Sequence, residues 1–486
     1  MPLCLYNSLT KQKEEFISLH PQRVGMYVCG VTVYDYCHLG HARASVVFDM
    51  IYRYLTHQGY TVTYVRNFTD IDDKIIKKSQ STQTPWQQIT AQFIQAFHED
   101  MTSLGNLAPG FEPKATDFIP HMVQMIQTLM DKGHAYQAGG DVYYAVRSKK
   151  DYGKLSHKNL EELESGARIE IGEQKKDPLD FALWKAAKPG EPTWPSPFGP
   201  GRPGWHIECS VMSTQLLGEQ VDIHGGGRDL IFPHHENEIA QSEGTTGKEF
   251  VRYWIHNGFV NLNTEKMSKS TGNILTIREV LKKYPREVIR YFLLSSHYSS
   301  PLDYTDQNLK QAESSVERIY ECKRLAEGEL KGQTNSQPLD KAKTAALEKI
   351  NNLSGAFATA MNDDFNSAMA LGNLFEVVRE VFRLLNDGKD KVLQVAAALA
   401  FLSQLQIYDK VLGLFGMKSE DYFKEWQALK ANTAPISEAE ILNLIQQREI
   451  ARKNKDWKQA DQIRDQLQEK GVLIKDNPTG TEWRFK

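Results

Sequence analysis

Cys29-Gly30-Val31-Thr32-Val33-Tyr34-Asp35-Tyr36-Cys37-His38-Leu39-Gly40-His41 organises the reading of the whole chain. The apolar, β-branched run at 24–28 before it has the character of a buried strand. Residues 42–55 after it carry Val46, Val47, Met50, Ile51 and Tyr54 at helical spacing. The quoted stretch is therefore predicted as a turn from strand into helix. A second apolar run at 62–65 completes a strand–helix–strand unit, the repeating element of a parallel α/β sheet. Open sheets of this kind bind ligands beyond the carboxyl ends of their strands. Two histidines flanking a glycine, with a cysteine at the strand end, fall at that place.

A chain of 486 residues is too long for one core and predicts about two to four domains. Lysine and arginine number 58 against 61 acids, a net charge of −3, so nucleic-acid contacts have to come from local patches rather than a general basic field. The five cysteines (Cys4, Cys29, Cys37, Cys209, Cys322) are too scattered, and odd in number, for a disulfide framework. The charged start (Lys11, Lys13, Glu14, Glu15) is unlike a signal peptide, and no run approaches the ~20 apolar residues of a membrane span. A cytoplasmic protein with no membrane partner is expected, its cysteines serving as ligands or core.

Along the chain, 1–111 holds the first half of the α/β pattern, including helical residues at 71–104. From 112 to 203 the pattern changes to a helix (119–132), strand-like pieces (141–146) and polar turns. Segment 188–204 is so rich in proline and glycine that a helix or central strand is forbidden. This region reads as an insertion. The α/β pattern resumes over 204–305, with a helix at 209–217, a strand at 221–223, a loop His224-Gly225-Gly226-Gly227, a helix at 233–241 and strands at 253–255 and 258–262. Residues 306–420 read as a helical bundle, and 421–486 as one further helix (438–470) with a compact tail.

His38-Leu39-Gly40-His41 puts two imidazoles and free backbone N–H groups at a helix N-terminus, a field suited to phosphate oxygens. Gly40, without a side chain, lets a flat adenine ring pack on the backbone. Lys266-Met267-Ser268-Lys269-Ser270 offers two cations on a loop beside Gly272, suited to charge developing on a transferring phosphoryl group. Singly, these motifs also fit a plain helix start and a solvated loop. Together, in this order, they resemble the class I aminoacyl-tRNA synthetases. That resemblance implies a Rossmann-type catalytic domain. It assigns His38, His41 and Lys269, assisted by Lys266, to the transition state in which a carboxylate attacks the α-phosphate of ATP. The family's usual isoleucine in the first motif is Leu39 here, a mild apolar departure.

A third group concerns the substrate. Cys29 ends the first strand, Cys209 follows Gly204-Trp205-His206-Ile207-Glu208, and His234 and Glu238 lie four apart on one helix face. Two thiolates, an imidazole and a carboxylate would make a tetrahedral zinc site. Spacing alone leaves His235, Glu236, His206, Glu208 and His224 as rival ligands. The stretches Cys29–Asp35, Gly204–Ser210 and His224–Glu238, with Asp363–Ala368 and Pro478–Arg484, resemble the cysteinyl-tRNA synthetases over most of the chain. The resemblance implies one zinc ion on Cys29, Cys209, His234 and Glu238. It places Thr69, Trp205 and His224 in a cysteine pocket, and Gly226 with Gly40 against the nucleotide. It also makes the C-terminal region an anticodon reader, in which Arg448, Arg452, Trp457, Asp461 and Arg464 mix cations, an aromatic ring and base-pairing groups.

The expected activity is cysteine–tRNA ligation through cysteinyl-adenylate. ATP with Mg2+ is a substrate, tRNA(Cys) the acceptor, and a monomer the working form. An enzyme joining cysteine to an amino sugar on the same core would not need the chain beyond 306. A non-catalytic relative would not need His38, His41, Lys266 and Lys269. A serine esterase fails for want of a Gly-x-Ser-x-Gly elbow.

Overall fold

Four parallel strands build the sheet that the first motif predicted, in the order Val251–Asn257, Val221–Gly227, Arg23–Thr32, Thr61–Thr69. The structure, a computed structural model, describes residues 2–159, 161–162, 174–262, 265–266, 275–331, 338–387, 390–433, 435–477 and 480–485. Between Arg23–Thr32 and Thr61–Thr69 the register slips by one residue after Val28, so the strand bulges at Cys29-Gly30. Such a bulge re-aims a side chain at the end of a strand. Helix Leu39–His57 buries Ala42, Val46, Val47, Met50, Ile51, Tyr54 and Leu55, the stripe its sequence spacing anticipates.

Several boundaries differ from expectation. The segment His224-Gly225-Gly226-Gly227 is not a loop but the carboxyl end of strand Val221–Gly227, paired with Trp254, Ile255, His256 and Asn257. Glycine here answers to packing: a Cβ on Gly225 would lie 2.2 Å from the Phe48 ring. The helix expected at 209–217 begins at Trp205. The helix expected at 233–241 is split, with a wide turn Ile231–His235 kinked at Phe232 and then helix Glu236–Thr246. Strand Val260–Leu262 leaves the main sheet and pairs with Leu302–Tyr304.

The inserted region forms its own antiparallel sheet, Ala135–Ala138, Asp141–Tyr144, Phe181–Ala186 and Gly201–Pro203. The last is an edge strand, the one place in a sheet that tolerates Pro203. Beyond it, helices Asp306–Glu329, Leu353–Asn362, Ser367–Asn386 and Lys391–Leu412 form the bundle. Lys391–Leu412 is long and apolar enough to cross a membrane by composition, contrary to the sequence expectation, yet it buries Ala397, Ala398, Phe401, Leu405, Tyr408 and Leu412 inside the protein. The expected single helix at 438–470 is two, Glu438–Lys453 and Trp457–Glu469. Lys455 takes a left-handed φ of 59°, and Asp456 caps the second helix through the Gln459 amide. The tail is the hairpin Val472–Asn477 and Gly480–Phe485.

A buried ion pair joins the first helix to the bundle. Asp49 accepts from Arg290, from Arg53 Nε at 2.8 Å and from the Leu107 amide at 2.8 Å. Arg290 also donates to Asn106 Oδ1 (2.7 Å) and to the Leu412 carbonyl at the end of helix Lys391–Leu412. Both side chains are buried; Asp49 keeps Arg53 if Arg290 is lost, whereas Arg290 without Asp49 has no other carboxylate paired with it among the described residues. Asp49→Asn is therefore expected to cost about 3–5 kcal/mol in urea unfolding. A loss below about 1 kcal/mol would show that the Arg290 charge is compensated elsewhere.

Candidate metal centre and nucleotide turn

Cys29 lies on the bulge that ends its strand, and Cys209 in the first turns of helix Trp205–Leu217. His234 is the next-to-last residue of the kinked turn, and Glu238 follows in the first turn of helix Glu236–Thr246. Dispersed over some two hundred residues, the four meet because the sheet order puts their elements at one end of the central strands. The sulfurs of Cys29 and Cys209 are 3.6 Å apart, Cys29 Sγ is 3.4 Å from Glu238 Oε1, and His234 Nε2 is 3.0 Å from the same oxygen. One donor atom from each of the four lies within 4.8 Å of the others.

A second quartet shares two of these residues: Cys29, His224, His235 and Glu238. His224 Nε2 is 3.5 Å and His235 Nε2 3.3 Å from Cys29 Sγ. His235 is held from behind, its Nδ1 2.9 Å from His256 Nε2, whose own Nδ1 is 2.8 Å from Ser8 Oγ. Of the remaining rivals, Glu236 and Glu208 are engaged elsewhere, and His206 Nδ1 is 2.9 Å from His234 Nδ1. The sequence did not single out His256. It sits at the carboxyl end of a sheet strand, the position at which such a residue is worth suspecting.

Burial dominates the electrostatics of the cluster. Burial pushes the Glu238 carboxyl well up, and the same cause carries His206, His224 and His235 well down, their neighbouring imidazoles adding to it. Burial opposes ionisation of both thiols. At Cys209 the hydrogen bond from Cys29 and the adjacent His234 outweigh it and bring the thiol down to about 7. Cys29 goes well up, through burial first and then through Cys209 and Glu238. Glu238 Oε2 and His224 Nδ1 are buried with no hydrogen-bond partner among the described residues. Two thiols, an imidazole and a carboxylate with an orphaned oxygen are a donor set that fits zinc.

The histidine turn lies at the N-terminus of helix Leu39–His57. His38 Nδ1 accepts from the Gly40 amide at 3.0 Å, and His41 Nδ1 accepts from the His38 amide at 3.3 Å. An imidazole whose Nδ1 accepts carries its proton on Nε2 when neutral, so both rings are set as Nε2–H donors. The rings stack with centroids 3.9 Å apart. A Cβ on Gly40 would lie 2.8 Å from His38 Cε1 and break the cap. The chain that follows the lysine motif is laced to this turn, with Leu39 N to Leu275 O at 3.2 Å and Ile277 N to Cys37 O at 3.1 Å. Lys266 belongs to strand Glu265–Lys266, and Lys269 lies outside the described residues.

Trp205 is stacked on His234 with centroids 4.2 Å apart. Thr69 donates to Glu208 Oε2 at 2.8 Å, His224 is part of the cluster, and Gly226 is near the end of its strand. In the C-terminal region Arg448 is buried and grips Asp476 bidentately at 2.7 and 2.9 Å, so its guanidinium ties helix to hairpin. Arg452 also reaches Asp476, at 2.8 Å. Trp457 is 60% exposed, the most open large apolar side chain among the described residues, and Asp461 and Arg464 face solvent beside it.

Residues 15–314 match the sequence model of the tRNA synthetases class I (C) catalytic domain, 356–416 that of the DALR domain, and 435–484 that of the cysteinyl-tRNA ligase anticodon binding domain. The chain is 53% identical over 487 residues to a cysteine–tRNA ligase of Geobacter sulfurreducens, and 52% identical over 496 residues to one of Pelobacter propionicus. Both alignments cover 100% of each chain. Among solved structures, Mycobacterium tuberculosis methionyl-tRNA synthetase bound by methionyl-adenylate matches with a TM-score of 0.63 at 14% identity, covering 80% of this chain and 92% of that one. A putative arginyl-tRNA synthetase of Campylobacter jejuni matches at 0.56 and 13%, covering 83% and 95%. At such identities these two speak for the fold alone.

Proposed function

The chain belongs to the cysteinyl-tRNA synthetase family, and from that premise we propose that Cys29, Cys209, His234 and Glu238 hold one zinc ion against which cysteine is told from serine. The protein is a cysteine–tRNA ligase that spends ATP to join the amino acid to its tRNA. The observation that carries the zinc reading is the convergence of four donors from separate elements within 4.8 Å of one another. When bound, zinc supplies a soft-accepting position that a thiolate fills and an alcohol does not. Of the two quartets, this one is favoured because it brings both thiols; the imidazoles do not separate them, since His234 and His235 each turn Nδ1 to another histidine and Nε2 to the cluster.

The protein's own groups do the rest. Trp205 covers His234 and, with Thr69 and His224, encloses the amino-acid side chain. His38 and His41, fixed as Nε2–H donors, hydrogen-bond phosphate oxygens of ATP, which arrives with Mg2+. Lys266 and Lys269 add positive charge as the cysteine carboxylate oxygen bonds to the α-phosphorus and pyrophosphate departs. Gly40 and Gly226 leave room for the nucleoside. The terminal ribose hydroxyl of tRNA(Cys) then takes the acyl group and AMP leaves. Alignment and charge stabilisation account for catalysis without a covalent enzyme intermediate.

In this reading 1–111 and 204–305 form the catalytic domain, 112–203 the inserted subdomain, 306–420 the bundle and 421–486 the anticodon-binding region. Arg452, Trp457, Asp461 and Arg464 face the anticodon, with Arg448 shaping their platform. The protein works as a monomer in the cytoplasm, away from membranes, which suits five unpaired thiols. Purified protein is expected to carry one zinc per chain and to catalyse cysteine-dependent ATP–pyrophosphate exchange, with serine poorer by ~10⁴ or more in kcat/KM. Comparable exchange with serine, or absence of zinc from active protein, would defeat the assignment.

A further inference from the structure

One fully buried carboxylate on the metal helix has no part in the chemistry above. Glu236, 1% exposed, is the first residue of helix Glu236–Thr246, two before Glu238. Its Oε2 accepts the backbone amides of Leu155 at 3.1 Å and Ser156 at 2.8 Å. Those amides belong to the inserted region, not to the sheet. The same segment touches the helix again where the Tyr152 hydroxyl donates to Asn237 Oδ1 at 2.5 Å. It touches it a third time through Lys149 and Lys154, which pair with Glu243 at 2.7 and 2.6 Å.

Local sequence explains why two successive amides reach one carboxylate. Gly153 has a φ of 98°, and a Cβ there would lie 2.1 Å from the Lys158 carbonyl oxygen. The chain doubles back at that glycine and presents residues 155 and 156 end-on. On the other flank Gln241 Nε2 donates to the His206 carbonyl at 3.0 Å and to Ser210 Oγ at 3.2 Å, in the helix that carries Cys209. The metal helix is thus held between the inserted region and the other ligand-bearing helix. Two backbone amides also keep a would-be rival donor, Glu236, turned away from the thiols.

We propose that residues 149–156 are a positioning clamp for the metal centre, acting through Glu236 and Asn237 to fix the turn that presents His234 and Glu238. The proposal rests on the reading of Cys29, Cys209, His234 and Glu238 as zinc ligands. Groups that orient ligands commonly govern metal affinity by about 10- to 100-fold. The inserted region would then set how tightly the catalytic domain holds its metal.

The test uses full-length protein stripped of metal, with zinc affinity read by chelator competition and ligand geometry by the absorption of the cobalt(II)-substituted form. Glu236→Gln turns an amide group toward the two N–H donors and is expected to raise the zinc dissociation constant by about 10- to 100-fold. Tyr152→Phe removes one hydroxyl from an otherwise unchanged fold. It is expected to weaken zinc in the same direction by less, and it carries the test should Glu236→Gln fail to fold. In both, the cobalt d–d bands should shift while the thiolate charge-transfer absorption persists, because Cys29 and Cys209 are untouched. A lower melting temperature of the metal-free chain, with zinc affinity and d–d bands as in wild type, would mean packing alone and overturn the proposal. Wild-type protein that takes up no zinc would overturn the ligand reading itself, a result visible before any variant is made.

Discussion

Cys209→Ser is expected to lose its zinc on dialysis and to bind cysteine no better than serine. Cys209 is 2% exposed and its thiol is the more acidic of the pair, so it is the donor most readily present as thiolate at neutral pH. A serine oxygen of nearly the same reach stays protonated and is a poor ligand. Structural zinc sites are worth ~10–16 kcal/mol over four ligands, so one lost thiolate should cost about 3 kcal/mol, or roughly 10²-fold in affinity. Metal content per chain and the KM for cysteine in pyrophosphate exchange measure both consequences. The fold should survive, because the Ser210 hydroxyl and Gln241 tie this helix to the next independently of the sulfur. A variant with full zinc and an unchanged KM would move the site to the quartet containing His224 and His235.

His41→Asn should act on rate and leave the metal alone. Asparagine keeps an acceptor for the His38 amide, so the start of helix Leu39–His57 is retained. What it lacks is the ring whose Nε2–H is proposed to reach the phosphates. Loss of one such preorganised donor typically costs ~10²–10³ in kcat. Exchange at saturating cysteine and ATP should fall by that order, with zinc content and melting temperature as in wild type. Lys269→Ala should behave in the same way. A fall of less than threefold for His41→Asn would remove the ring from the transition state. A fall accompanied by zinc loss would show that the histidine turn and the metal centre are coupled rather than separate.

Much of this fold is legible in the amino-acid sequence. Alternating runs around residues 24–65 imply a parallel sheet, because β-branched strands and a helix-spaced stripe in succession have few other ways to bury their apolar faces. That 38–41 opens a helix was equally plain, since a helix start is decided by neighbouring residues; that His38 and His41 cap it reciprocally came only with the structure. Less visible were features with no local signature. Three consecutive glycines argued for a loop at 225–227, yet strands on both sides and the Phe48 ring draw them into the sheet. Arg448, expected among the anticodon-reading groups, meets Asp476 only because the hairpin brings that carboxylate back across to it. The break at Lys455 is a single left-handed residue inside a run whose periodicity continues across it.

Amino-acid order by itself determined the elements with a strong local signature: the buried strand, the helix that starts at the histidines, the amphipathic bundle helices. Their propensities and spacings are local quantities. Tertiary structure alone decided which of several cysteines, histidines and glutamates share one place. Spacing could not rank Glu238 above Glu236 two positions earlier. A half turn of helix, with two amides from a distant loop, sends one carboxylate to the thiols and the other away from them. Such a choice depends on where separate elements pack, and packing is settled by burial summed over the whole chain.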